Sequence, residues 1–186
     1  MLKILFLCVI GSNLVSADIA ISTKIENLAK QYLGGKYVWG GTSPHTGMDC
    51  SGYTQYIFNR VGIKIPRTAY SQSKMGTHVE SKEFKKGDLL FFLTDKKRGI
   101  PVTHVGIYLD NYKFIHAASS KKGIIISSLH GKYGSLLVDA KRVLDYSTRK
   151  KLTPQIFNDA FKEALYSPIK ISLTSFSPLK TNLKKK

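Results

Sequence analysis

Cysteine is nearly absent from this chain of 186 residues; it occurs twice, as Cys8 and Cys50. A scaffold held together by disulfides is therefore excluded. Acids are also scarce, with 12 Asp+Glu against 29 Lys+Arg and a net charge of +17. Among so few carboxylates no convincing pair stands out for the two-acid chemistry of glycan cleavage. Neither H-E-x-x-H nor H-x-H spacing occurs, which sets zinc hydrolysis aside. With 15 Gly and 6 Pro, collagen-like architecture is excluded. No apolar run reaches the roughly 20 residues that span a bilayer. What remains is an ordinary globular composition, 42% hydrophobic and 22% charged, long enough for one domain with a real core. The excess positive charge favours an anionic partner: nucleic acid, membrane or cell-wall polymer.

The first residues narrow that choice. Met1-Leu2-Lys3 is a short positive segment, Ile4 to Ile10 an apolar run, and Val15-Ser16-Ala17 a small-residue cleavage site. This order predicts a signal peptide over residues 1–17 and an exported, periplasmic or secreted protein. Export makes nucleic acid a poor partner. It also removes Cys8 and leaves Cys50 as the lone thiol, exposed to an oxidising compartment. A lone cysteine is either a buried inert residue or a nucleophile.

Helices are expected first and strands later, an α+β pattern with an antiparallel sheet. Ile21, Ile25, Leu28 and Tyr32 recur at helical spacing over residues 20–33, with Thr23 and Glu26 at capping-box spacing. Gly34-Gly35 and Gly40-Gly41 bracket an aromatic segment read as loop, and the loop continues to Met48. A second helix is expected from Cys50 to Val61, with Asp49 as its N-cap and Tyr53, Ile57 and Phe58 as its apolar stripe. Strands are expected over Leu89–Leu93, Thr103–Leu109, Tyr112–Ala117, Gly123–Ser128 and Leu136–Val143.

Cys50 would stand in the first turn of its helix, where unpaired N–H groups lower a thiol pKa. A histidine base would lower it further. Of five histidines, only His104 and His116 sit in convincing strand patterns. A two-residue turn at Asp110-Asn111 would put them on opposite faces of a hairpin. A three-residue loop, Leu109-Asp110-Asn111, sets them directly across from each other, with Asn111 left-handed; a bulge also changes the count by one. On a shared face His104 can serve as base and His116 as its orienter.

These residues resemble a known family. Asp49-Cys50-Ser51-Gly52 before an apolar helix is similar to the nucleophile motif of the NlpC/p60 cell-wall cysteine peptidases. Tyr37-Val38-Trp39-Gly40-Gly41 resembles its upstream aromatic–glycine motif, and Pro66-Arg67-Thr68-Ala69 with Gln72 the segment after its catalytic helix. Gly87 to Phe92, Thr103 to Tyr108 and Phe114 to Ala117 resemble its later strands. The resemblance covers residues 22–146. It implies a papain-like α+β fold, with the nucleophile helix packed on a central antiparallel sheet. It further implies cleavage of peptidoglycan stem peptides, most often between D-γ-glutamate and a diamino acid. By the same resemblance Cys50 is the nucleophile, His104 the base and His116 the orienter. Tyr37 holds substrate or stabilises the oxyanion, Asp49 and Ser51 bind a stem amine, Arg67 meets an acidic stem group, and Trp39 lines the pocket.

Residues 18–146 are thus expected to form the peptidase domain, working as a monomer without cofactor or metal. Residues 147–186 hold nine Lys/Arg against two acids and are expected to be a basic extension, partly helical or disordered, drawn to the anionic cell envelope. An amidase or D,D-endopeptidase on the same scaffold, or a basic wall-binding protein without activity, are the alternatives.

Overall fold

The computed structural model describes residues 19–143. The expected signal peptide and basic extension lie outside the described residues. Helix α1, residues 19–30, buries Ile21, Ile25 and Ala29 as its apolar stripe. It begins before Thr23, so Thr23 and Glu26 form no cap; Glu26 instead receives Lys30 at 2.6 Å and Lys86 at 2.9 Å. The segment Thr42 to Met48, expected as loop, holds a small antiparallel pair, β1 (Thr42–Ser43) and β2 (Gly47–Met48).

Helix α2 spans Cys50–Arg60. Its stripe of Tyr53, Ile57 and Phe58 is fully buried, and the helix packs on the sheet through β5 and β6. A short helix α3 (Ala69–Gln72) follows. The remaining elements are β3 (Thr77–His78), β4 (Leu89–Phe92), β5 (His104–Asp110), β6 (Lys113–Ser119), β7 (Gly123–Ser128), α4 (Lys132–Leu136) and β8 (Leu137–Arg142). The six larger-sheet strands run in the order β3-β8-β4-β5-β6-β7, all pairs antiparallel. This is the expected α+β architecture. Leu89-Leu90-Phe91-Phe92 is buried throughout, because β4 lies inside the sheet and both of its faces are covered. Leu90 and Phe92 share one cluster with Tyr108, Phe114 and Ala140. The turn before β4 is tied to β8 by a fork: Arg142 Nε and Nη2 donate to the two Asp88 carboxylate oxygens, each at 2.8 Å.

The β5–β6 hairpin differs from both loops considered for it. Asp110 pairs with Lys113 around Asn111-Tyr112, whose φ values of 50° and 55° are those of a type I′ turn. Farther in, Tyr108 pairs with Phe114 and Ile107 with Ile115, so Leu109 is an extra residue, a bulge. Without it the turn register would place His104 and His116 on opposite faces. With it they share one face, but diagonally: His116 comes opposite Gly106 rather than opposite His104. Asn111 does adopt the left-handed conformation expected of it.

Candidate active site

The site is assembled from the start of α2, the aromatic–glycine loop, the loop before α3, and strands β5 to β7. Asp49 is extended and caps α2, accepting from the Gly52 N–H at 2.7 Å. Cys50 is therefore the first helical residue. Gly52 must lack a side chain, since a Cβ there would collide with the Gly41 carbonyl oxygen. A glycine at this position is what lets the loop carbonyl approach the helix so closely.

Arg67 reinforces the same point. Its Nη1 donates to Asp49 Oδ1 and to Ser51 Oγ, both at 2.9 Å, and its Nη2 donates to Asp49 Oδ2 at 2.6 Å. Gly40 N–H also donates to Asp49 Oδ2, at 2.9 Å. Burial alone would raise the Asp49 pKa, but the Arg67 fork and the Gly52 and Gly40 N–H groups hold it below the ordinary carboxylate value. Behind them lies Gln72, fully buried. Its amide donates to the Ser51 carbonyl at 3.0 Å and the Pro66 carbonyl at 2.8 Å, and its oxygen accepts from Thr54 at 2.9 Å. Thus Gln72 ties the first turn of α2 to the Arg67 loop.

A cleft of about 500 Å³ opens over Cys50 and is lined by Trp39, Asp49, Ser51, Arg67 and Arg98 among others. Five of the eight residues singled out from sequence therefore meet at one cleft: Cys50, Asp49, Ser51, Arg67 and Trp39. Tyr37 stands within reach of their charges. Burial, then Cys50 and Asp49, push its phenol up to about 12, which keeps it a proton donor at neutral pH. Trp39 is 70% exposed at the rim.

His104 and His116 stand in the sheet beside this cleft. His104 opens β5, and the N–H of its neighbour Val105 acts on the Cys50 thiol. His104 Nε2 lies 2.6 Å from His116 Nδ1, and His116 Nε2 lies 2.9 Å from Ser127 Oγ on β7. Burial lowers the His104 pKa to about 4; burial, aided by His104 and Lys122, lowers that of His116 to about 2. Both rings are thus neutral at pH 7, each with one proton. If His104 Nδ1 is to accept a proton, Nε2 must hold one and donate it to His116 Nδ1. His116 then holds its proton at Nε2 and donates to Ser127. One tautomer runs through all three residues. Ser127 carried no spacing signal in the sequence; only its place on β7, on the His116 face, brings it in.

One expectation is reversed. The helix start was expected to lower the Cys50 pKa, but burial, with the nearby Asp49 charge, pushes the thiol up to about 11. The N–H groups of Val105, Ser51 and Cys50 itself work in the helix-start direction and are outweighed. The site therefore pairs a neutral thiol with neutral imidazoles.

An antiparallel sheet carrying a pair of hydrogen-bonded histidines, with a cysteine opening the helix packed on it, defines a papain-like thiol site. The profile of the NlpC/P60 family matches residues 34–142, and the chain belongs to that family. It is 37% identical over 148 residues to the gamma-DL-glutamyl hydrolase of Bacillus subtilis, covering 77% of this chain and 36% of that one. It is 40% identical over 137 residues to the murein DD-endopeptidase MepH of Escherichia coli, covering 71% of this chain and 50% of that one. A solved NlpC/P60 family protein from Bacillus cereus superposes with a TM-score of 0.62 at 36% identity, over 67% of this chain and 40% of that one. The chain thus spans half or less of the length of these relatives.

Proposed function

We propose that the chain is an exported peptidoglycan endopeptidase that cuts stem peptides through a cysteine nucleophile. The observation that carries this reading is the 2.6 Å contact between His104 and His116 on the sheet under a helix-opening cysteine. In this role His104 Nδ1 takes the Cys50 proton as the sulfur attacks the scissile carbonyl carbon. The proton then passes to the leaving amine, and the C–N bond breaks to give a thioester. Water, deprotonated by the same imidazole, releases the acid and restores the thiol. In this reading proton transfer to His104 accompanies attack, in keeping with a thiol that burial keeps protonated. His116 holds the His104 ring and its tautomer. The Cys50 N–H, at the helix start, and the Tyr37 hydroxyl are the candidate oxyanion donors.

Within this reading the scissile bond is the one between D-γ-glutamate and the diamino acid; the name of the Bacillus subtilis relative supports its γ-glutamyl side. The name of the Escherichia coli relative favours a D,D-bond as the second reading. Asp49 and Ser51 are proposed to face the stem amine, with Arg67 fixing both, and Trp39 to wall the cleft. The basic residues 147–186 are proposed to draw the protein to the anionic envelope by screened attraction. The deciding experiment is digestion of purified sacculi and identification of the new termini by mass spectrometry. New γ-glutamyl carboxyl ends are expected, and none with Cys50→Ala. D-alanyl ends would establish the second reading, and intact sacculi would overturn both.

A further inference from the structure

The cleft holds two arginines, and their circumstances differ. The Nη donors of Arg67 are taken by Asp49, Ser51 and the Gly41 carbonyl. Arg98 is exposed on the same cleft and forms no ion pair with any acid among the described residues. Its guanidinium lies over the Trp39 ring, 5.1 Å from the centroid. It is also close enough to Tyr37 for its charge to act on that phenol.

The loop that carries Arg98 is anchored. Lys96–Arg98 form one turn of 3-10 helix, capped by Asp95, whose carboxylate accepts from the Lys97 N–H at 3.1 Å. Gly99, at φ 64°, turns the chain out again. The loop's entry is bonded to Thr103, whose hydroxyl accepts from the Thr94 N–H at 2.9 Å and the Asp95 N–H at 3.1 Å. Thr103 immediately precedes His104. The Arg98 wall is thus braced at its base against the residue next to the candidate base.

Stacking covers a face of a guanidinium and leaves its in-plane N–H donors free. Arg98 therefore presents unspent donors on the Cys50 cleft, and Lys96 and Lys97 beside it add positive field. Such a group matches a carboxylate, which a planar fork can bind through two hydrogen bonds. A neutral carboxamide offers one acceptor oxygen and no charge.

We propose that Arg98 is a specificity-determining residue that binds a free carboxylate of the substrate, so that this chain prefers acidic stem peptides to stems amidated at that position. The proposal rests on the endopeptidase reading and adds to it which stems are taken.

The test uses the full chain and a soluble stem peptide, L-alanyl-D-γ-glutamyl-diaminopimelate. Two variants are made, one amidated at the glutamate α-carboxyl and one at the diaminopimelate side-chain carboxyl. Wild type is expected to favour the free acid over one of the amides by about 10- to 100-fold in kcat/KM, mostly through KM, the size of one charge-assisted hydrogen bond. In Arg98→Ala that ratio should collapse toward one, and Arg98→Lys should fall between. A uniform loss on all three peptides would show Arg98 to be only a structural partner of Trp39 and would overturn the proposal. So would a wild type blind to amidation. If wild type cleaves none of the peptides, the endopeptidase reading fails on these stems. Calorimetry then decides the Arg98 question separately, by binding the same peptides to Cys50→Ala and to Cys50→Ala/Arg98→Ala. The same acid-over-amide ratio is expected in the first and its loss in the second; equal affinities, or no binding at all, would overturn it.

Discussion

Gly106 faces His116 across the β5–β6 pair with no room for a side chain between them. A Cβ on Gly106 would come 2.6 Å from Phe114 Cδ2 and 3.2 Å from His116 Cβ. Phe114 is itself fully buried against Phe92, so neither ring can simply move away. Gly106→Ala should therefore displace His116 from His104. We expect kcat to fall by about 100-fold, the usual cost of a misplaced catalytic group. Overpacking should cost about 1–3 kcal/mol of stability. Stem-peptide kinetics and urea unfolding check the two effects separately.

The neutral His104–His116–Ser127 chain sets an order among substitutions. Cys50→Ala should abolish turnover, and His104→Ala should lower it by about 100- to 10,000-fold, because attack and leaving-group protonation both use that ring. His116→Asn should keep more activity than His116→Ala, since an amide oxygen can still accept from His104 Nε2–H. Single-turnover rates of the two His116 variants make the comparison. Equal rates would remove His116 from the mechanism.

Thiol chemistry offers a direct reading of the Cys50 environment. With its pKa raised to about 11, the thiol of the free protein should alkylate slowly at neutral pH. The iodoacetamide rate should climb with pH beyond the value where an ordinary cysteine levels off. A plateau reached already in the acid range would mean a preformed thiolate–imidazolium pair.

Acid should destabilise the fold through the two buried histidines. Their native pKa values, about 4 and about 2, lie below the ordinary histidine value of 6.5. The unfolded chain therefore binds more protons than the native one as pH falls below that value. Their contribution is full above pH 6.5 and is lost progressively as pH falls toward 4 for His104, and further toward 2 for His116. Urea midpoints should decline over that range. His116→Asn should flatten part of the decline, since an amide does not titrate there.

Asp88 and Arg142 brace the sheet away from the cleft. The Asp88 side chain is only 2% exposed and both of its oxygens receive Arg142. Asp88→Asn removes the charge from a buried carboxylate that accepts from Arg142 and from the Lys85 N–H, and should cost about 1–3 kcal/mol. Thermal melting measures this. Turnover at a temperature where the variant is still folded should change little.

Much of the architecture was legible because periodicity and burial are written in long segments. The nucleophile helix, the buried run at β4 and the isoleucine strand β7 fall close to their expected bounds. The two-residue strands β1, β2 and β3 and the five-residue α4 are too short to show a period. The face shared by His104 and His116 was legible, and a bulge was one of the two routes to it; which route the hairpin takes, and where the bulge falls, was not. A bulge at Leu109 depends on how the hairpin packs, and no residue type announces it. Ser127 and Arg98 were missed for related reasons: a serine on a strand and an arginine in a basic loop acquire meaning only from what the fold sets beside them. The thiol pKa was read with the wrong sign because the helix-end effect is local and visible, whereas burial is a property of the finished core.

The extra residue at Leu109 makes the hairpin tip an odd–even lock. Adding or removing one residue between Tyr108 and Phe114 without a compensating change would turn His116 to the other side of the sheet. Adding two would leave it in place. Homologous chains that differ here by a single residue would then look alike in every motif and yet lack the paired histidines. Loop length, counted modulo two, becomes a marker of which such chains retain the chemistry and which keep only the scaffold.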